Sequence, residues 1–287
     1  MKPTTSPIIV VLGAHGMLGH TVFNYLKIHH TVWGTTKNSV TESHLLKFDA
    51  YNYNDLNNLY KKVKKIDYII NCIGALPRDT NEKMTFINAQ FPNKLATIAE
   101  KNNSYLIHVS SDAVFSPLSN DVYENDSPFP IDEYGKSKLQ GEPKSTNAFS
   151  IRTSLLGLDP YKHKGLLEYA LQEKRLTGFM NQVWSGSTTL QFAHLCHQII
   201  KNNAFEQMRQ KSSIFHFAPL TDYTKHDIIK TLQELIKNDA MLVMGEGEQI
   251  TRSLKTNYQE LLKINQFTQN LKRALYELLL FEKTFSK

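Results

Sequence analysis

Cysteine is scarce, with Cys72 and Cys196 the only two among 287 residues. They stand far apart in sequence, so they build no disulfide framework, and no Cys–His spacing reads as a zinc site; no metal is expected. Long hydrophobic runs are missing too. The longest near the start, Ile8–Leu12, is five residues, far short of a membrane span. It follows a single Lys2 and runs straight into glycines, which makes a poor secretory signal. Repeats and low-complexity stretches are absent, and 41% hydrophobic with 21% charged residues is ordinary globular usage. A reduced, soluble, cytoplasmic protein without a membrane partner is the expectation. The net charge of +6 is modest, and the basic run Lys61–Lys65 and the basic tail beyond Thr251 read as solvated faces rather than a nucleic-acid footprint.

What is present is a rhythm. Short apolar runs at Ile8–Leu12, Thr31–Gly34, Tyr68–Cys72, Tyr105–Ser110 and Phe149–Arg152 alternate with helical patterns at Met17–Ile28, Asp55–Lys65, Thr85–Lys101 and Tyr134–Glu142. Alternation of this kind predicts an α/β, Rossmann-type doubly wound parallel sheet with helices on both faces. Pro92 inside the third helical pattern predicts a kink or an early turn. Beyond Arg152 the order changes: helices at Gly165–Glu173, Thr189–Lys201 and Lys225–Lys237, and a strand at Ile214–Ala218. Leu271, Ala274, Leu275, Leu278 and Leu279 give a last helix one apolar face, suited to packing on its own chain. The expected division is a nucleotide-binding domain over residues 1–152, with returning elements at about 187–212, and a smaller, mainly substrate-binding region over 153–287.

Gly13, Gly16 and Gly19 recur at a spacing of three between a buried-looking strand and an amphipathic helix. Gly13 suits a tight turn, Gly16 the approach of a pyrophosphate, and Gly19 close helix–sheet packing; the helix start supplies N–H groups and a positive dipole end. Dinucleotide binding is the reading. An acidic residue ending the second strand would hold the ribose of NAD, but here Thr35, Thr36 and Lys37 follow Gly34, with no acid before Glu42. Hydroxyls and a lysine suit a 2′-phosphate, so NADP(H) is favoured over NAD(H).

Tyr134 and Lys138 share one face of a helical pattern, one turn apart. A neighbouring ammonium lowers a tyrosine's pKa by favouring the phenolate, and the same lysine can reach a cofactor ribose. Ser111, at the end of an apolar strand, can donate to a substrate oxygen that receives a proton.

The glycine loop, Ser111, Tyr134 and Lys138 together resemble the extended short-chain dehydrogenase/reductase superfamily. The stretches Val109–Phe115, Tyr123–Asp126 and Tyr134–Glu142, with Arg152, Thr153 and Ser154, are similar to its dTDP-4-dehydrorhamnose reductase branch. The likeness is strongest over residues 7–157, looser through Trp184–Leu190, and fades over about the last 35. The resemblance implies an NADPH-dependent reductase of a keto group, at C4, on a nucleotide-activated deoxysugar, serving polysaccharide biosynthesis. It implies Tyr134 as proton donor, Lys138 as its pKa-lowering and ribose-binding partner, and Ser111 at the catalytic hydroxyl position. Gly16, Met17 and Leu18 would line the pyrophosphate, Asp49 and Ala50 would meet the adenine, and Ile73, Gly74 and Ala75 would pass along the cofactor's centre. Asn88 stands where related enzymes hold an asparagine that organises the lysine, directly or through water. Ser111, Asp112 and Leu155 would face the substrate, and members of this branch often form homodimers.

Two departures bear on the substrate: Leu155 stands where the branch commonly has tryptophan, and Ala113 where it usually has tyrosine. Ala113 also replaces the glutamate base that nucleotide-sugar 4,6-dehydratases carry after Asp112, which argues against dehydration. Two other readings fit the same residues. One is a nucleotide-sugar epimerase with a tightly held cofactor. The other is a non-catalytic NADP-binding regulator, since the regulatory subunit of methionine adenosyltransferase resembles the same branch; the complete Ser111–Tyr134–Lys138 set weighs against it. His15, His194, His197, Cys72 and Trp184 carry no functional assignment.

Overall fold

Apolar runs buried from end to end are what a parallel sheet covered on both faces requires. Strand β1 (Ile8–Leu12) shows how: Ile9 and Val11 point into one core and Val10 and Leu12 into another. In the computed structural model, which describes residues 6–40, 42–161, 163, 165–260 and 267–285, seven parallel strands form the main sheet. The outermost residues of the two expected regions, 1–5 and 286–287, lie outside the described residues.

The strands are β1, β2 (Thr31–Thr36), β3 (Leu45–Lys47), β4 (Tyr68–Asn71), β5 (Tyr105–Val109), β6 (Ala148–Arg152) and β10 (Ile214–His216), in the order β10-β6-β5-β4-β1-β2-β3. The order reverses between β1 and β4, so the crevice beyond the carboxyl ends of these two strands is the topological switch point where ligands bind in such sheets. Helices α1 (Met17–Lys27) and α7 (Thr189–Lys201) cover one face through Val22, Leu26, Phe192 and Ile199. Helices α2 (Tyr53–Val63) and α4 (Phe91–Lys101) cover the other through Leu56, Leu59, Phe91 and Leu95.

Between β4 and α4 the chain forms a short helix α3 (Asn81–Met84), then a π-helical turn over Thr85–Gln90. Pro92 has no N–H to offer the carbonyl of Asn88, and the ring widens there: the Phe91 N–H donates to the Phe86 carbonyl, five residues back. The kink expected from Pro92 is this turn.

Helix α5 (Glu133–Gln140) starts at Asp132, whose Oδ1 accepts from the Gly135 N–H at 2.6 Å. A β-carbon on Gly135 would lie 2.1 Å from the carbonyl oxygen of Ala113, and one on Gly141 would lie 1.7 Å from that of Asn88. The helix is therefore seated by backbone-to-backbone contact at both ends.

After β6 come β7 (Leu155–Leu156), α6 (Leu166–Gln172), β8 (Arg175–Phe179), β9 (Val183–Thr188), α7, α8 (Phe205–Lys211), β10, β11 (Leu220–Thr224), α9 (Lys225–Ile236), β12 (Met241–Gly245) and α10 (Leu271–Lys283). Two small sheets, β11-β9-β7 and β12-β8, lie among them. The apolar face of α10 packs with α6 and α9 through Leu275, Leu278, Leu167 and Ile228, on its own chain. No helix among the described residues is long and apolar enough to cross a membrane.

A buried ion pair locks the end of α5 to β6. Arg152 donates from Nε and Nη2 to the two oxygens of Glu142, at 2.8 Å each, and Ser110 Oγ donates to Glu142 Oε1 at 2.7 Å. His216 Nδ1 lies 2.9 Å from the Lys255 carbonyl oxygen and 3.2 Å from that of Val122, so Nδ1 carries the proton and Nε2 faces Arg152. Removing one partner of such a pair strands a buried charge. Arg152→Met is expected to lower unfolding free energy by about 3–5 kcal/mol, and pairing it with Glu142→Gln to recover much of the loss, as read by urea denaturation.

Candidate active site

The loop after β1 turns through Gly13, at φ +83°. A β-carbon on Gly19 would stand 2.0 Å from the Gly13 carbonyl oxygen, so α1 can lie across the loop only with glycine there. Gly16 is the N-cap of α1, and no side chain caps that helix, unlike α2, α5, α7, α9 and α10, whose N-caps are Asn52, Asp132, Thr188, Thr224 and Asn270. The first-turn N–H groups of α1 thus open on the switch-point crevice. Leu18 is buried in the core, so it meets that crevice through its backbone alone.

Two residues expected to attract a 2′-phosphate are committed elsewhere. Thr35 Oγ1 accepts from the Gly13 N–H at 3.1 Å, and Thr36 Oγ1 is 3.0 Å from His15 Nδ1, so both hydroxyls brace the glycine loop from within. Lys37 remains exposed, its Nζ 3.3 Å from Asp49 Oδ1. The lysine expected at the phosphate and the aspartate expected at the adenine are thus neighbours. Ala50 is buried beside them. His15 stacks on Tyr161, ring centroids 4.2 Å apart.

Past β4, the Ile73 N–H donates to Asn71 Oδ1 at 3.2 Å. The Ala75 N–H donates to Asn88 Oδ1 at 2.8 Å, and Asn88 Nδ2 donates to the Ala75 carbonyl and to Ser137 Oγ, each at 3.1 Å. Asn88 thus organises the Ile73–Ala75 loop and helix α5; its side-chain partners do not include Lys138. Gly74 faces open space apart from Asn88 Oδ1, which a β-carbon there would meet at 3.7 Å.

The structure brings Ser111, Tyr134 and Lys138 to the carboxyl end of β5. Ser111 caps the short turn Asp112–Val114, its Oγ accepting from the Ala113 N–H and donating to Asp112 Oδ1, both at 3.1 Å. Lys138 is buried, and its Nζ donates to the Val109 carbonyl at 2.6 Å. Burial brings the Lys138 ammonium down to about 8, with Glu142 pulling the other way. Burial pushes the Tyr134 phenol up to about 12; the nearby Ser111 hydroxyl opposes this, Asp112 and Asp132 add to it, and Arg252 opposes it. The lowering expected at Tyr134 from Lys138 is not what this geometry gives, because desolvation dominates and the ammonium is turned to Val109.

Ser111, Asp112, Ala113 and Tyr134 open on a cavity of about 330 Å³. Its far wall includes Ser154, Gln182, Trp184, Lys225 and Arg252. Leu155 is not part of it: this side chain packs against the sheet core, while Trp184 Nε1 donates to Ser154 Oγ at 3.0 Å. Gln182, Lys225 and Arg252 carried no signal in sequence, since they stand in segments with no glycine loop or helical pair to mark them.

A model of the RmlD substrate binding domain matches residues 7–277. The chain is 32% identical over 140 residues to a probable low-salt glycan biosynthesis reductase of Haloferax volcanii, covering 46% of each protein. It therefore spans about half the length of that relative. It is 24% identical over 241 residues to the beta subunit of methionine adenosyltransferase 2 from Danio rerio, covering 77% of this chain and 71% of that one. The solved dTDP-4-dehydrorhamnose reductase of Bacillus anthracis, a complex with NADP, superposes with a TM-score of 0.75 at 16% identity, covering 96% of this chain and 99% of that one. An identity this low speaks to the fold alone. With the family match running through nearly the whole chain, all three sheets and the residues that line the cavity included, the chain belongs to the RmlD substrate binding domain family.

Proposed function

We propose that this chain reduces a keto group on a nucleotide-activated sugar, with NADPH as the hydride source and Tyr134 as the proton donor. The observation that carries the reading is that Ser111 and Tyr134 open on one cavity, with Lys138 one helical turn behind Tyr134 and bonded to Val109 at the end of β5. A nicotinamide cofactor fits the residues present: a helix N-terminus without a side-chain cap suits a pyrophosphate, and Gly74 leaves its surroundings open. Gly13, Gly16, Met17 and Gly19, with the Leu18 N–H, would hold the phosphates, Asp49, Ala50 and Lys37 the adenosine end, and Ile73, Gly74 and Ala75 the centre. Bound there, the cofactor supplies the hydride. Ser111 steadies the substrate oxygen, Tyr134 gives it a proton, and Lys138 holds its place through Val109 and meets the ribose. Asp112 stands beside the substrate, and the anionic character of a nucleotide sugar suits the cations Lys225 and Arg252 in the wall. The name of the Haloferax protein supports the reaction class.

Tyr134→Phe is expected to cut NADPH oxidation by roughly 10²-fold or more against a panel of nucleotide-linked 4-keto sugars while costing far less in NADPH affinity. Near-normal turnover in that variant would sink the assignment. Tight NADPH binding with no turnover across the panel would instead favour a regulatory role, the reading suggested by the methionine adenosyltransferase beta subunit.

If Lys37 selects the phosphate, Lys37→Ala should weaken NADPH binding about tenfold and leave NADH binding alone, as read by calorimetry. Equal losses for both would assign Lys37 to neither.

Lys138 also makes stability depend on pH. In the folded chain its ammonium gives up its proton near 8, against a usual 10.5. Folding therefore carries the full penalty of a buried charge below about pH 8, and the penalty is relieved as pH rises from 8 towards 10.5. Between pH 7 and 9.5 the cofactor-free wild type should gain about 2 kcal/mol relative to Lys138→Met; parallel denaturation curves would show that the ammonium is not desolvated.

A further inference from the structure

A polar atom buried without a partner is costly, and folded chains seldom keep one. Four such side-chain atoms stand among the described residues: His108 Nε2, Ser150 Oγ, Glu168 Oε2 and Gln182 Oε1. Of their four residues, only Gln182 lines the cavity on which Ser111 and Tyr134 open. It is 7% exposed, so bulk water does not stand in for the missing partner.

The amide of Gln182 is not free to turn. Its Nε2 donates to the Glu248 carbonyl at 2.9 Å, and turning the amide over would set oxygen against oxygen there. Its backbone is pinned as well. The Gln182 carbonyl accepts from the Lys225 N–H at 3.0 Å, and the strap of residues 250–255 ties both neighbours. Val183 donates its N–H to the Ile250 carbonyl at 2.7 Å, and Ile250 donates to that of Asn181 at 3.1 Å. Asn181 shows how an amide with a structural task alone is used in the same place. Its Nδ2 donates to the Gly247 carbonyl at 2.6 Å, and its Oδ1 accepts from the Gly247 N–H at 3.0 Å. Gln182 makes the first kind of bond and leaves the second unmade. The other acceptors of the lining are engaged: Asp112 Oδ1 by Ser111 Oγ at 3.1 Å, Asp132 Oδ1 by the Gly135 N–H at 2.6 Å, and Ser154 Oγ by Trp184 Nε1 at 3.0 Å.

We propose that Gln182 Oε1 accepts a hydrogen bond from a ring hydroxyl of the sugar, which makes Gln182 a residue that decides which sugar the cavity takes. The proposal rests on the reading of this cavity as the place where a nucleotide-linked keto sugar is reduced. Phosphate oxygens are acceptors, so the diphosphate belongs with the donors Lys225 and Arg252 and not with this oxygen. With the keto group at Tyr134, the donors nearest to it are the hydroxyls of its own ring. In a 4-keto-6-deoxyhexose joined to its nucleotide through C1, hydroxyls remain only at C2 and C3. The cost of burying Oε1 is met when the chain folds, and the amide is already aligned, so a hydroxyl that reaches it gains a bond without ordering the side chain. A sugar lacking that hydroxyl leaves the oxygen unmet, and a site of this kind discriminates against it.

The test takes the member of the 4-keto sugar panel that turns over fastest, with its 2-deoxy and 3-deoxy forms as probes. Wild type is compared with Gln182→Met, which keeps the length of the side chain and drops the acceptor. In the wild type one of the two deoxy forms should lose about tenfold or more in kcat/KM. In Gln182→Met the parent sugar should fall to the level of that deoxy form, and the deoxy form should lose nothing further. Calorimetric titration with the three reduced sugars, in the presence of NADP, should show the same coupling without turnover. Wild-type NADP affinity in the variant shows that its fold is intact. Equal kcat/KM for the parent and both deoxy forms in the wild type overturns the proposal without recourse to any variant. So does a deoxy penalty that persists undiminished in Gln182→Met. In either case, loss of turnover in Tyr134→Phe leaves the reductase reading standing. A panel with no turnover at all, or turnover retained in Tyr134→Phe, overturns both.

Discussion

The seat of α5 is the constraint on which the site depends. Gly135 and Gly141 let this helix touch the carbonyls of Ala113 and Asn88, at distances no side chain would allow. Ala113 belongs to the turn that begins at Ser111, and Asn88 to the π-helical turn in front of Pro92. Asn88 in addition holds both backbone groups of Ala75. The helix bearing Tyr134 and Lys138, the turn bearing Ser111 and the loop past β4 are therefore one packed unit. Preorganisation at the scale catalysis needs, a fraction of an ångström, follows from these contacts rather than from any single hydrogen bond.

Electrostatics in that unit runs against the simplest picture of a tyrosine activated by its neighbouring lysine. Burial acts on both groups, and it favours the neutral form of each. The rise at Tyr134 to about 12 corresponds to roughly 3 kcal/mol in favour of the protonated phenol. A donor that strong in holding its proton gives it up only where the oxygen left behind meets compensating charge. Glu142 offsets part of the cost at Lys138, yet Glu142 is itself held by both nitrogens of the Arg152 fork. The pair Glu142–Arg152 thus sets the background field at the base of α5 while tying α5 to β6, and His216, its pKa lowered by burial and its ring oriented by two carbonyls, closes the network from β10.

Much of the nucleotide half could be read from sequence because its grammar is local. Strand β1 and helix α7 fall where expected, Ile8–Leu12 and Thr189–Lys201, since continuous burial and clean periodicity mark them. Other bounds moved by a residue or two: β2 runs on to Thr36 because Thr35 and Thr36 pair with Leu46 and Lys47 of β3. The strands β3, β7, β8, β9, β11 and β12 went unseen. β9 reads Val-Trp-Ser-Gly-Ser-Thr, too small and polar to announce a strand, and β12 is only half buried. At the site, the spacing of Tyr134 and Lys138 was visible, but which way Lys138 would turn was not, because the Val109 carbonyl that accepts its hydrogen bond lies on β5, 29 residues away in sequence. Leu155 was placed at the substrate by position after Arg152, Thr153 and Ser154; it turns inward because β7 pairs with β9 and directs it to the core.

The substrate wall is built on a different principle, and this explains both why it was hidden and how it can vary. Trp184 sits on β9, Lys225 at the start of α9 and Arg252 on a strap, and what joins them is backbone pairing between segments far apart in the chain: Gln182 with Ile250, Val122 with Leu254, Trp184 with Tyr223. Pairing of this kind fixes where a side chain enters the cavity without dictating which side chain it is. The seat of α5, by contrast, tolerates nothing larger than glycine at two points. Changes in the wall can therefore retune what the cavity accepts while the Ser111–Tyr134–Lys138 unit stays in place. The aromatic surface absent at Leu155 and Ala113 illustrates it: Trp184 brings an indole to the same cavity from β9, anchored on Ser154, without moving any atom of the unit that would perform the chemistry.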